Sequence, residues 1–484
     1  MPSNRMVHVR TADDGVAARI LREGIAAIQA ELDVTSEFPV EVEEAAVRAA
    51  AEPRLPDLDR TDLELITIDP PSAMDLDQAL FIERLGDGYR VFYAIADVAA
   101  FLAPGDPVDE EAHLRGQTLY GADSKIPLHP RSISEDAGSL LPDQVRPALL
   151  WTIDVDSTGE GTDVVVERAL VRSRAKLDYA GVQDQLDAGS ADESLRLLEE
   201  VGRLRQQREA ARNGVSLPLP EQEIDIEGDA WHLEFRPLIP VELWNAQISL
   251  LTGFAAASLM VYGAVGILRT LPPPDPRDVQ RLHRTARALG IEWPAEQLYP
   301  DFIRTLDPSI PAHAAMVVSC TRLLRGSGYA AFNGAVPEQP LHSALSSEYA
   351  HVTAPLRRLA DRYAGEICVA LCAGTDIPQW ALDRLDDLPK IMSDSGRQAN
   401  AYEGAVVDLV EAALLAPRVG ETFDGVVVDV SEKDARRGVV TITDPAVEAR
   451  VVAADADLPL GTEVRATLTT ADPKTRRVEF ILKE

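Results

Sequence analysis

The chain reads as an α+β protein: a central domain with a mixed sheet and surrounding helices, closed by a small C-terminal OB-type β-barrel. Three features predict this. Residues 63–171 are rich in β-branched and aromatic runs, as strands are. From there to about Leu415, apolar residues recur among Glu and Arg at helical spacing. Beyond Pro417, five short β-rich runs are separated by Gly, Asp and Pro, the texture of a small barrel.

Taken in order, residues 1–60 are acidic, Ala-rich and helical in pattern, and end in the linker Glu52-Pro-Arg-Leu-Pro-Asp57, where Pro53 and Pro56 break regular structure. The central domain is expected over 61–416. Residues 65–68, 81–82 and 89–98 read as strands. Residues 154–171 are again strand-like, with Gly159 and Gly161 marking a turn. Leu195, Leu197, Leu198, Val201 and Leu204 place a helix over 191–213. Helices then dominate, interrupted at Pro272, Pro273, Pro274 and Pro276. The barrel is expected over 417–484, with strands at 421–430, 438–443, 448–452, 462–470 and 477–482.

At 484 residues, with 46% hydrophobic and 26% charged residues, the chain has the composition of a globular protein of at least two domains. Residues 248–268 carry no charge over a length that could span a bilayer at ~20 residues. Gly253, Gly263, Gly266 and three hydroxyl residues within this run favour a buried, closely packed helix over a membrane span. Cys320, Cys368 and Cys372 are odd in number and form no CxxC pair, which suits buried thiols in a reducing cytoplasm. Residues 1–11 lack the apolar stretch of a secretion signal. The formal net charge of −32 argues against a protein lying broadly on duplex nucleic acid, since that affinity comes from neutralised phosphates. It leaves room for an enzyme that draws one strand into a narrow channel lined locally by arginine.

The first chemistry-bearing segment is Asp69-Pro-Pro-Ser-Ala-Met-Asp75-Leu-Asp77-Gln78, following a strand. Asp75 and Asp77 are two apart, so in extended chain their carboxylates share a face, and the intervening loop can fold Asp69 back beside them. Such a cluster repels itself unless a cation sits within it. Hard oxygen ligands without His or Cys favour Mg²⁺ or Mn²⁺ over zinc, and magnesium held by carboxylates suits phosphodiester hydrolysis. Taken alone, spaced aspartates are a weak signal, and a solvated Asp-rich loop is the better reading of them.

The second segment is His342-Ser-Ala-Leu-Ser-Ser-Glu-Tyr349-Ala-His351-Val-Thr353-Ala-Pro355-Leu-Arg357-Arg358-Leu-Ala-Asp361. A proline opening a helix and followed by two arginines is expected to set guanidinium groups beside the free amides of the first turn, both of which attract phosphate. The plainer alternative is a surface helix with Arg358 paired to Asp361.

Together these segments resemble the ribonuclease II (RNB) family. Asp69, Asp75 and Asp77 match its aspartate motif in order and spacing. His342, Tyr349, Thr353, Pro355, Arg357, Arg358 and Asp361 fit its His, Tyr, Thr-Ser-Pro-Ile-Arg-Arg, Asp motif. Ala175-Lys-Leu-Asp-Tyr179 is similar to a family segment whose tyrosine contacts RNA, and Asn400-Ala-Tyr-Glu403 to a helix whose glutamate lies near it. The resemblance covers about residues 60–484. It implies a hydrolytic 3′→5′ exoribonuclease that takes single-stranded RNA into a channel and releases 5′-nucleoside monophosphates. No membrane, no organic cofactor and a monomeric chain are expected. Asp69, Asp75, Asp77 and Gln78 would organise the metal, and Arg357 would stabilise charge on the scissile phosphate. Tyr179, Tyr349, Thr353, Arg358 and Glu403 would position the RNA.

The match also departs from the pattern. Gln78 stands where the family has a fourth aspartate, which removes one charge from the metal site. Ala354 replaces the motif serine, and the His342 to Tyr349 interval is one residue short. Gly365-Glu366 replaces a His-Arg pair, and Leu243 and Ser249 stand where the family has polar channel residues. Some 60 residues before the central domain are too few for two cold-shock domains. Phe423 and Phe480, in the tail, lie among apolar strand residues and read as core rather than as stacking platforms. Two other functions stay open: a catalytically weakened member that binds RNA or a protein partner, and a phosphodiesterase acting on small nucleotides.

Overall fold

A computed structural model describes residues 9–11, 16–121, 125–217, 221–227, 230–236 and 238–482. Most of residues 1–11, read as lacking a secretion signal, lies outside that set. The central element is a four-stranded antiparallel meander of Gln78–Leu85, Gly88–Ala96, Val145–Val155 and Gly161–Arg172. Side chains alternate across a strand, and here both faces are covered. Tyr93 and Ile95 pack on one face with Leu198, Trp244, Ile248 and Tyr363 from the helices Glu193–Ala211, Pro240–Gly263 and Leu359–Ala373. Phe92, Ala94 and Ala96 pack on the other with Val42, Val98, Leu102 and Ile133. Two buried faces explain why residues 89–98 read as an almost unbroken apolar run. The turn into the last strand passes through Gly159 at φ +84°, where a Cβ would come within 2.7 Å of Leu204.

The uncharged run at 248–268 is not one helix. It divides into the end of Pro240–Gly263 and the strand Val265–Thr270, with Ala264 in the left-handed conformation between them. By length and composition Pro240–Gly263 could cross a membrane. Its small residues nevertheless do what the sequence led one to expect: a Cβ at Gly253 would sit 2.1 Å from the Tyr349 ring, and one at Gly263 2.5 Å from Leu371. Cys320 and Cys368 are buried, Cys372 is half-buried, and all three are free thiols.

The tail forms a closed five-stranded barrel from Thr422–Val430 to Arg477–Leu482. Its pairs are antiparallel except Ala446–Ala453 with Arg477–Leu482. Phe423 and Phe480 meet edge-to-face inside it, so neither is available to stack on a base. The barrel core runs on into the 28-residue helix Leu388–Leu415 and into Leu21, Ile25 and Ile28 of Val16–Leu32. The first helix is thus part of the body and not a separate appendage. A small helical cluster around Leu282, Phe302 and Met316 docks on the barrel through Arg322 to Asp429 and Arg281 to Glu432.

Candidate active site

Three local devices bring the aspartates together. The strand Thr67–Ile68 pairs in parallel with Lys176–Leu177, and the Asp69 N–H donates to the Leu177 carbonyl, which fixes where the strand ends. The loop that follows is folded back by the Lys176 ammonium, which donates to the Pro71 and Ala73 carbonyls. Its far end is held by Ser139, whose hydroxyl donates to the Met74 carbonyl and accepts from the Leu76 N–H. Asp77 then enters the sheet edge, with its carbonyl accepting the Ala96 N–H at 2.9 Å.

The second motif arrives from some 280 residues away. Asp77 Oδ1 accepts the Leu356 N–H at 2.8 Å, and the Arg357 guanidinium lies 3.6 Å from Asp77 Oδ2. Burial pushes the Asp77 carboxyl up to about 8, with Arg357 and the Leu356 N–H opposing the rise. Burial likewise lifts Asp69 to about 6 against the pull of Arg357 and Lys176. For both groups burial is the larger cause, and carboxylate oxygens are the donors a hard cation takes. Asp75 differs: its Oδ1 is 2.7 Å from Lys125 Nζ. Consistent with that pairing, no three acidic, His or Cys side chains converge as a ready metal cage among the described residues.

The arginines lie in a turn ahead of the helix, not in its first turn as the sequence suggested. The helix begins at Leu359, and the Ala354 carbonyl accepts both the Arg357 and Arg358 N–H groups. Tertiary contacts impose this. Asp361 takes the Ala354 N–H and a bidentate pair from Arg358, while the Thr118 N–H donates to the Arg357 carbonyl. Arg357 is left with a partly exposed side chain (41%) facing the carboxylates, whereas Arg358 is committed to Asp361, the plainer of its two readings.

Several expected RNA contacts are likewise structural. Tyr349 is 7% exposed and packs against Gly253, Phe254, His342 and His351. Thr353 is buried, and its carbonyl accepts from Gln78 Nε2. Gln78 Oε1 in turn accepts from the Tyr93 hydroxyl at 3.1 Å. The expectation that Gln78 lends an oxygen to a metal is therefore set aside: its amide is a cross-brace between the sheet and the arginine turn. Ser249 joins the same brace, 2.8 Å from the Tyr93 hydroxyl. Gly365 and Glu366 are structural too. A Cβ at Gly365 would lie 2.6 Å from Leu149, and Glu366 shares Arg168 with the buried Asp97.

Tyr179 lies beside Asp69, whereas Glu403 meets the Tyr120 backbone instead. Tyr179 opens the helix Tyr179–Asp187 close enough to Asp69 to feel its charge, and its hydroxyl accepts from Asn245 at 3.4 Å. Burial raises Glu403 to about 7, partly offset by the Tyr120 backbone N–H. Sequence reasoning missed Tyr120 and Lys125. They face each other across the short hairpin Leu119–Tyr120 and Lys125–Ile126, with Tyr120 beside Arg357 and Lys125 on Asp75. Two-residue strands leave no periodic signal, so only the tertiary placement reveals them.

A sheet edge that gathers acidic side chains against one arginine, beside a closed C-terminal barrel, defines an α+β protein with a carboxylate-and-arginine centre. Residues 58–372 match the RNB domain, and residues 421–482 match the RNase II-type exonuclease C-terminal S1 domain. The chain belongs to the RNB family. It is 26% identical over 454 residues to ribonuclease R of Aquifex aeolicus, covering 86% of this chain and 64% of that protein. It is also 26% identical over 346 residues to the exosome complex exonuclease RRP44 homolog A of Arabidopsis thaliana, covering 67% and 36% respectively. The chain thus spans between about one third and two thirds of the length of these relatives. Among solved structures, Mycoplasma genitalium RNase R in complex with ribose-methylated single-stranded RNA superposes with a TM-score of 0.84 at 18% identity, over 96% of this chain and 78% of that one. Yeast Ssd1, described as a pseudonuclease, superposes at 0.68 and 16% identity, over 89% and 55%.

Proposed function

We propose that the protein is a hydrolytic 3′→5′ exoribonuclease acting on single-stranded RNA with Mg²⁺, or Mn²⁺ in its place. One observation carries this reading: Arg357 is delivered to Asp77 and Asp69 across the whole length of the central domain, a costly arrangement for a site with no phosphate to bind. Asp69 and Asp77 would hold the metal, which when bound polarises the phosphoryl oxygen and lowers the pKa of a water. Water adds to phosphorus, the bond to the preceding 3′ oxygen breaks, and the shortened strand keeps a 3′ hydroxyl while a 5′-monophosphate leaves. Arg357 stabilises the charge that builds on the phosphoryl oxygens. Tyr179 supplies a face for the terminal base, and Glu403 an acceptor near the strand, where a 2′ hydroxyl would distinguish RNA from DNA.

A second reading is a weakened member that binds RNA with little cleavage. The bracing role of Gln78 and the engagement of Asp75 by Lys125 favour it, and so does the likeness in fold to Ssd1. A 5′-labelled single-stranded RNA incubated with Mg²⁺ or Mn²⁺, beside an Asp77→Asn control, decides between them. A ladder shortening from the 3′ end with monophosphate products, absent in the control, supports the enzyme. Binding without products supports the second reading. Equal cleavage of dinucleotides and long strands would point instead to a phosphodiesterase.

A further inference from the structure

The hairpin of Leu119–Tyr120 and Lys125–Ile126 supplies a cation that the aspartate motif does not foretell. Tyr120 and Lys125 are direct partners across an antiparallel pair, so their side chains leave the same face. That face meets the carboxylates: Tyr120 lies beside Arg357, and Lys125 Nζ lies 2.7 Å from Asp75 Oδ1 and 3.0 Å from Glu135 Oε1. All three charged side chains are largely enclosed, at 14–21% exposure, so water screens the interaction far less than at a surface pair. Glu135 is fixed on a helical turn whose Ser134 hydroxyl donates to the His129 carbonyl, which gives the ammonium a second anchor that does not depend on substrate. An ammonium has three donors, and two carboxylates here fix two of them.

We propose that Lys125 is a resident counter-cation of the carboxylate centre. It keeps Asp75 out of metal coordination, and the centre takes up one divalent ion, through Asp69 and Asp77, rather than two. This rests on the metal-dependent reading given above. Lys125 and Arg357 offset two of the four carboxylates Asp69, Asp75, Asp77 and Glu135, which weakens the pull on a second dication. A single Mg²⁺ held by one or two carboxylates, with water and substrate phosphate completing its shell, is a common arrangement.

The test is Mn²⁺ binding without RNA, followed by the EPR signal of the free ion and by calorimetry. The wild type is expected to bind one ion. Lys125→Gln should bind a second ion or bind the first at least ~10-fold more tightly, as ~1.4 kcal/mol of lost competition would give, and Lys125→Arg should return to one ion. Circular dichroism and thermal melts check that each variant folds. Should Lys125→Gln fail to fold, Asp75→Asn is read instead: it should leave the wild-type ion count and affinity within about threefold, a margin well under ~1.4 kcal/mol. Two ions in the wild type, unchanged or weaker binding in Lys125→Gln, or a tenfold loss in Asp75→Asn each overturn the proposal. If Mn²⁺ binding ignores residue 125 while the labelled RNA is still cleaved, only the role of the lysine falls. If no variant binds Mn²⁺, the metal reading falls with it.

Discussion

Replacing Asp77 by asparagine is expected to stabilise the metal-free protein while removing its turnover. The carboxyl is lifted from 3.8 to about 8, by burial first, and the lift already includes the opposing pull of Arg357. At pH 7 the folded chain therefore holds a proton that the unfolded chain has released. At ~1.36 kcal/mol per pH unit between 3.8 and 7, this costs the fold at most roughly 4 kcal/mol. Asparagine keeps an oxygen for the Leu356 N–H, now 2.8 Å away, and carries no charge to desolvate. A gain of about 2–4 kcal/mol at pH 7 follows. The sign is set by a folded pKa above the unfolded one: the advantage of asparagine vanishes near pH 4, grows through neutrality and levels off above about 8. Urea unfolding in EDTA at pH 5 and pH 8 measures it. RNA cleavage in Mg²⁺ should meanwhile fall by at least ~10²-fold, as when a charge-stabilising group is deleted from an active site. An unfolding midpoint at or below that of the wild type at pH 8, or an advantage that does not grow with pH, would refute the argument.

Three further outcomes are expected. Divalent metal affinity should rise as pH goes from about 5 to about 8, with proton release on binding, because Asp69 at about 6 and Asp77 at about 8 must ionise to coordinate. Calorimetry in two buffers of different ionisation enthalpy counts the protons. Asp361→Ala should cost about 3–5 kcal/mol by denaturant unfolding, since it strands the Arg358 guanidinium and the Ala354 N–H together; a loss under ~1 kcal/mol would mean that water replaces the carboxylate. Gly253→Ala should lower stability by about 1–3 kcal/mol, because its Cβ would fall 2.1 Å from the Tyr349 ring and 2.7 Å from the Ala350 carbonyl. An unchanged melting curve would show that the Tyr349 ring moves aside freely.

Local pattern was enough for most of the architecture. Alternation and turn residues located three of the four sheet strands, at least in part, and the five barrel strands, because a buried strand face leaves its record in its own side chains; Val145–Val155 was not read as a strand. Glycines in the uncharged run at 248–268 announced close packing, and Phe423 and Phe480 announced core. The aspartates and the arginine were legible as residue types because phosphate chemistry restricts which side chains can serve. Tertiary structure alone decided how those side chains are used. Arg358 could be read locally against Asp361 three residues on, but whether Gln78 faces a metal or braces Thr353 depends on a partner 275 residues away that no local window contains. Tyr349 followed the same rule, its ring closed in by Gly253 and Phe254 from another helix. Lys125 is the clearest instance: a lone lysine opening a two-residue strand has no signature, and its meaning comes only from Asp75 and Glu135 meeting it in space. Sequence determines which groups are available, and the long-range contacts that bury them decide which charges remain free to act.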